Sequence, residues 1–188
     1  MRKVIFLVLL AFGAVDTLQA STVKYAEGYY TVPNYMTEVP ADDVRASDAN
    51  PQGRSFVARD SNGQVFFLVA SYRDISKIAD EKTWLAAASV PEQRLIQEVQ
   101  SSLVAMPDGG KVTVDSAKAN LAAHKIISTA TIDDFGTISR LVTGILVLNN
   151  RKSLHLEVYV DESRFDELLP EVNKIVDSLS ANPEFQLK

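Results

Sequence analysis

Between residues 138 and 179 the chain changes its hydrophobic period. Residues 140–148 form a nearly unbroken apolar run, and Leu154, Leu156, Val158 and Val160 then alternate with His155, Glu157 and Tyr159, which is the period of a strand. Asn149 and Asn150 separate the two runs, and asparagine tolerates the left-handed backbone that a two-residue hairpin turn requires. Phe165, Leu168, Leu169, Val172, Ile175, Val176 and Leu179 then recur at spacings of three and four, placing them on one stripe of a helix. A stripe of this kind must be buried, and the preceding hairpin is the nearest surface in sequence. A sheet with a helix packed on its face is the expected unit.

The same reading extends toward the amino terminus. Residues 21–27 read as a loose lead-in, and 29–32 as a first strand stopped by Pro33, which has no amide hydrogen for a ladder. Residues 33–54 are rich in Pro, Asp, Ser and Gly and read as a long polar loop. Residues 55–59 and 65–72 predict a hairpin turning at Asn62 and Gly63. The second of these runs is apolar on both faces, so it belongs inside the sheet with a layer on each side. Trp84, Leu85 and Ala88 form one apolar patch, and Leu95, Ile96, Val99, Leu103 and Met106 another. Pro91 suits a first helical turn but not a helix interior, so the pattern predicts a short helix, a break near Val90 and a second helix over 91–105. Strands at 112–117 and 125–132 follow, the latter closing through Asp133-Asp134-Phe135-Gly136 onto the stretch described first. The expected fold is α+β, with a mainly antiparallel sheet of about six strands covered by helices on both faces, an α/β/α sandwich.

The first twenty residues do not fit this pattern. Arg2 and Lys3 precede an apolar run over 4–15, and Ala20 ends a candidate cleavage site. The run is shorter than the roughly 20 residues needed to span a bilayer. Residues 1–20 are therefore read as a secretory signal and 21–188 as a single domain, with an uncleaved amino-terminal anchor as the alternative. The absence of cysteine excludes disulfides, thiolate nucleophiles and cysteine zinc sites, as well as a lipid anchor on a cysteine. Export without disulfides suits a periplasmic or secreted location and leaves no stable membrane span after cleavage. A net charge of −5 and the lack of basic clusters argue against nucleic acid as a partner.

Candidate chemistry is sparse. His155 and Glu157 share one face of a strand with Tyr159, but zinc needs at least three protein ligands, and the third would have to be a carboxylate or His124. The simpler reading is a polar or helix-covered sheet face. Asp42-Asp43 and Asp133-Asp134 are adjacent pairs whose side chains point apart, unlike carboxylates that work across one bond. Turn chemistry accounts for Asp133-Asp134. Asp108-Gly109-Gly110-Lys111 lacks the spacing of a phosphate loop and leads into a strand. Tyr25, Tyr29, Tyr30 and Tyr35 cluster near the beginning, either lining a groove or packing the first strand. No catalytic, cofactor-binding or metal-binding residue is assigned, and the expectation is a protein that is not an enzyme and uses no cofactor.

The order of elements nonetheless resembles a known family. Gly28 to Val32 with Pro33, the hairpin from Phe56 to Ser71 turning at Ser61-Asn62-Gly63-Gln64, the segment Leu121-Ala122-Ala123-His124-Lys125, and the closing hairpin and helix ending at Ile175 to Leu179 are similar to the DcrB-like family of bacterial envelope proteins. That family belongs to the wider PsbP-like α/β/α sandwich group, which includes an extrinsic subunit of photosystem II and a factor that binds the Ran GTPase. The resemblance implies a non-enzymatic envelope protein working by contact with an envelope protein partner, and brings no active-site residues. DcrB-like proteins are often anchored through a cysteine, which this chain lacks. The expected partner surface is the 33–54 loop. The alternative function is carriage of a small apolar ligand between the sheet and the helices of 84–106.

Overall fold

The computed structural model describes residues 20–39, 54–60, 63–74, 77–102 and 110–188. Ten strands and three α-helices run in the order β1 (Ala20–Tyr25), β2 (Gly28–Pro33), β3 (Thr37–Val39), β4 (Arg54–Asp60), β5 (Gly63–Asp74), α1 (Glu81–Ala88), α2 (Glu92–Ser102), β6 (Lys111–Asn120), β7 (Lys125–Asp134), β8 (Thr137–Val147), β9 (Lys152–Asp161), α3 (Phe165–Asp177) and β10 (Ser180–Ala181). Seven of the strands form one sheet in the order β3-β4-β5-β9-β8-β7-β6, and the other three form a small sheet in the order β1-β2-β10. Every pairing is antiparallel. The α+β class and the antiparallel sheet agree with the sequence, while the strand count exceeds the expected six.

The β8–β9 hairpin and α3 sit where the pattern puts them. Val142, Leu146, Leu154, Leu156, Val158 and Val160 lie in one cluster with Leu168, Val172, Ile175 and Val176 of α3, and Leu179 just beyond that helix joins them. Tyr30 and Val32 of β2 complete this cluster. β8 residues of the opposite parity point the other way. Leu141 clusters with Ala130 and Ile132 of β7, Val114 and Ala117 of β6, and Leu95 and Val99 of α2. Val147 clusters with Trp84 and Ala88 of α1 and with Leu187 near the carboxyl terminus. β5 lies between β4 and β9, the interior place expected from its apolar run.

Local chemistry fixes the element ends. The Asp80 carboxylate accepts from the Thr83 amide at 2.8 Å while Thr83 Oγ1 accepts from the Asp80 amide at 3.1 Å, a capping box that opens α1. The break near Val90 falls between α1 and α2, as Pro91 required. Lys125 Nζ donates to the Asp177 carbonyl at 2.7 Å, setting a cation on the last turn of α3.

Three expectations need correction. β1 replaces the loose lead-in, because its backbone pairs with β2 across a turn where Ala26 adopts φ +48. Only Val23 of β1 is buried, so the strand leaves almost no apolar alternation in the sequence. β3 occupies part of the 33–54 loop, where pairing with β4 rather than side-chain burial makes the strand. β10 is a two-residue addition to β2 that no periodicity signals. Residues 40–53 of the loop, the hairpin turn at 61–62, residues 103–105 of the second expected helix and the signal of 1–19 lie outside the described residues.

Candidate functional site

β9 presents Ser153, His155, Glu157 and Tyr159 on the face away from α3, as their alternation predicted, with the first three buried. Antiparallel register sets Arg73 of β5 opposite Ser153, and Arg73 Nη2 donates to Glu157 Oε1 at 2.8 Å. Tyr159 Oη donates to Glu157 Oε2 at 3.0 Å. His155 Nε2 is 2.8 Å from Ser153 Oγ. The strip therefore satisfies itself: a cation, a carboxylate, a phenol and a neutral imidazole all have partners inside the molecule. Burial, and secondarily the positive charge of Arg73, pulls the His155 pKa from 6.5 down to about 3. Burial also raises Tyr159, and the charge and hydrogen bond of Glu157 push it in the same direction.

His124 does not join His155. It lies in the turn between β6 and β7 with φ +51. Its Nε2 is 2.5 Å from Glu81 Oε2 at the start of α1, and its ring stands edge-on to Trp84. Among the described residues no group of three or more histidines, aspartates or glutamates is placed to hold a metal ion. Asp42, Asp43, Asp108 and Gly109 lie outside the described residues, while Lys111 opens a strand as expected. Asp133 does what turn chemistry predicted, its Oδ1 accepting from the Gly136 amide at 2.8 Å. Of the tyrosines, Tyr30 is buried edge-on against Phe56 and Tyr35 is exposed.

His155 has a measurable consequence. The unfolded chain takes up a proton near pH 6.5 that the folded chain refuses until about pH 3. Stability is therefore fully present above pH 6.5 and is lost as pH falls through that window. Between about pH 7.5 and pH 5 the expected loss is about 2 kcal/mol, from roughly 1.4 kcal/mol per unit below the unfolded value. Denaturant titrations of the native chain and H155Q should diverge by this amount, whereas parallel pH curves would contradict the buried neutral imidazole.

Two features are not absorbed by this internal pairing. The first is the β7–β8 turn, where Asp134 pairs with Thr137 and leaves Phe135 and Gly136 as a two-residue loop. Both have positive φ, +50 and +91, the backbone of a type I′ turn that favours Asn-Gly or Asp-Gly. A phenylalanine in this conformation costs about 1–2 kcal/mol, and here it gains no packing, since Phe135 is 80% exposed. The root of the hairpin is braced by Arg140. Its Nη1 donates to Thr131 Oγ1 at 2.9 Å, its Nη2 lies 3.3 Å from Asp115, and its guanidinium stacks over Phe165 at 4.6 Å. The sequence marked this segment as a turn, and the signal it carried was an aromatic residue where a small polar one belongs.

The second feature is a cavity of about 360 Å³ at the end of the sheet, beside the His124 turn and the segment after α3. His124, Lys125, Leu146, Val147, Asp177 and Leu179 are among its lining residues. The ligand space expected between the sheet and the helices of 84–106 is not where this cavity lies.

No family model matches the chain, and no curated protein matches it. Solved structures do. The solution structure of cyanobacterial PsbP (CyanoP) from Synechocystis is 14% identical with a TM-score of 0.56, covering 92% of this chain and 98% of that one. The Ran-binding protein Mog1p of Saccharomyces cerevisiae is 8% identical with a TM-score of 0.53, covering 88% of this chain and 97% of that one. At these identities the likeness is one of fold, and it gives the chain a PsbP-like architecture. No described helix is long and apolar enough to cross a membrane.

Proposed function

We propose that this chain is an exported, non-enzymatic binding or accessory protein that works by contact with an envelope protein, and that the β7–β8 hairpin tip is its contact surface. The observation that carries this reading is Phe135, a bulky apolar side chain held in solvent on a costly backbone at the end of a braced hairpin. Strained, exposed residues of this kind concentrate at functional sites. Among the described residues the most extended polar group on the sheet, Arg73–Glu157–Tyr159, already has partners within the molecule. That a Ran-binding protein shares the fold is compatible with work by contact. The clusters of α2 and α3 with β8 residues of opposite parity support a three-layer α/β/α build. Kinship with DcrB-like envelope proteins and cleavage of residues 1–20 belong to the same reading.

F135N tests it, because asparagine suits the turn. The expected result is unchanged or raised stability, by up to about 1 kcal/mol, together with at least tenfold loss of partner capture from an envelope fraction by the full-length chain. L121S, at another exposed apolar position, should capture normally. Equal capture by F135N and the native chain would remove the tip from consideration.

A further inference from the structure

Among the described residues β3 and β6 are the outer strands of the seven-stranded sheet. An outer strand presents backbone groups on which another chain can add a strand. β3 has three residues and is tied to β4 by Arg54 and Glu38, whereas β6 has ten. A short edge limits itself, but a long one must be closed in some other way. On β6 the closing group comes from α2. Leu95 and Val99 pack α2 onto Val114 and Ala117 of β6, and Gln100, next in the chain, reaches the strand's backbone. Its Oε1 accepts from the Val114 amide at 2.7 Å, and its Nε2 donates to the Val112 carbonyl at 2.9 Å. Val112 and Val114 stand opposite Ile132 and Ala130 of β7. Residues two apart in an antiparallel strand turn their amides and carbonyls to the same side, and here that side is away from β7. The carboxamide therefore fills one donor and one acceptor place that a further strand would use. Just beyond it the register shifts between Val114 and Ser116, and Asp115 accepts from Thr131 Oγ1 at 2.9 Å, so a bulge interrupts the edge where the carboxamide ends.

We propose that Gln100 keeps the first half of β6 closed to a second copy of this chain, and that without its carboxamide two copies pair antiparallel through residues 111–115. A second copy is the occupant because the segment is complementary to itself. With a twofold axis at Thr113, Val112 of one copy meets Val114 of the other, so the groups that Gln100 now holds bond each other. The same register sets Lys111 across from Asp115, a pair of opposite charges. Val112, Thr113 and Val114 are β-branched and suit a continued sheet. This contact is separate from the hairpin tip and stands or falls independently of the contact reading.

Sedimentation velocity and amide hydrogen exchange on the full chain test this together. In the native chain the Val114 amide should exchange slowly at low and high protein concentration alike, because its partner is intramolecular. Q100M keeps the stem of the side chain and drops the carboxamide. It should self-associate at least tenfold more tightly than the native chain, and its Val114 amide should exchange about tenfold faster when dilute, the value of one hydrogen bond. That amide should slow again as Q100M is concentrated and the second copy takes the place of the carboxamide. Q100E leaves an acceptor for Val114 but sets like charges on the facing edges, so it should associate no more than the native chain. The native measurement needs no variant, so instability of Q100M does not rescue the proposal. Fast exchange at Val114 in the native chain, association of Q100M no tighter than native, or tighter association with Val114 exchange independent of concentration would overturn it.

Discussion

Replacing Trp84 with alanine is expected to cost about 3–5 kcal/mol, the usual range for removing a fully enclosed aromatic side chain. Trp84 is the sole tryptophan of the chain and is 0% exposed. It packs with Ala88, Val147 and Leu187, and Ile78, Ala119 and Ile126 pack around this group. Its Nε1 donates to the Leu121 carbonyl at 3.1 Å, so the side chain ties α1 to the turn after β6 as well as to β8. α1 has only two turns and its first is exposed around Asp80, so without this anchor little tertiary contact holds it. W84F should recover part of the loss by keeping ring volume while leaving the Leu121 carbonyl without that donor. Urea titration followed by circular dichroism reads both variants, since the substitution removes the tryptophan fluorescence. A cost below about 1 kcal/mol would mean that α1 is not held through this residue.

Gly144 is the second position of large expected effect. It lies in β8 between Ile127 of β7 and Leu156 of β9, beneath α3. A Cβ there would stand 2.7 Å from Val176 Cγ1, 3.5 Å from the Val176 carbonyl oxygen and 3.6 Å from Leu179 Cδ2. Valine in a helix has one strongly preferred rotamer, so Val176 cannot swing aside and α3 itself must lift from the sheet. G144A is expected to cost about 2 kcal/mol and G144V about 3 kcal/mol, the upper part of the range for overpacking. Because the clash is with one side chain, V176A should cost less in the G144A background than in the native one, with a coupling of about 1 kcal/mol. Additive costs would place the strain elsewhere.

How far the sequence spoke depended on how local the determinant was. The β8–β9 hairpin and α3 were legible because adjacent residues carry their own periods and burial follows from them. β1 and β3 were not, since their ladders form with few buried side chains and leave the polar pattern of a loop. The candidate strip divides in the same way. Strand alternation alone puts His155, Glu157 and Tyr159 on one face, but Arg73 reaches Glu157 from 84 residues away, through a β5–β9 register that no local pattern encodes. The Lys125 contact with Asp177 spans 52 residues and was invisible for the same reason. Phe135 stood in plain sight within a recognised turn. Its positive φ and its exposure are properties of the folded hairpin, and the turn's aspartates explained the segment without it.

The described residues form a PsbP-like fold in which the polar strip of β9 is paired internally and an exposed aromatic residue sits on positive-φ backbone at a hairpin tip. Site-specific photocrosslinking in intact cells tests this most directly. With benzoylphenylalanine in place of Phe135 in the full-length chain, the account predicts one discrete adduct with an envelope protein. The same probe at Thr113, an exposed position on β6, should give none. No adduct from position 135, or the same adducts from both positions, would contradict a contact made through the tip.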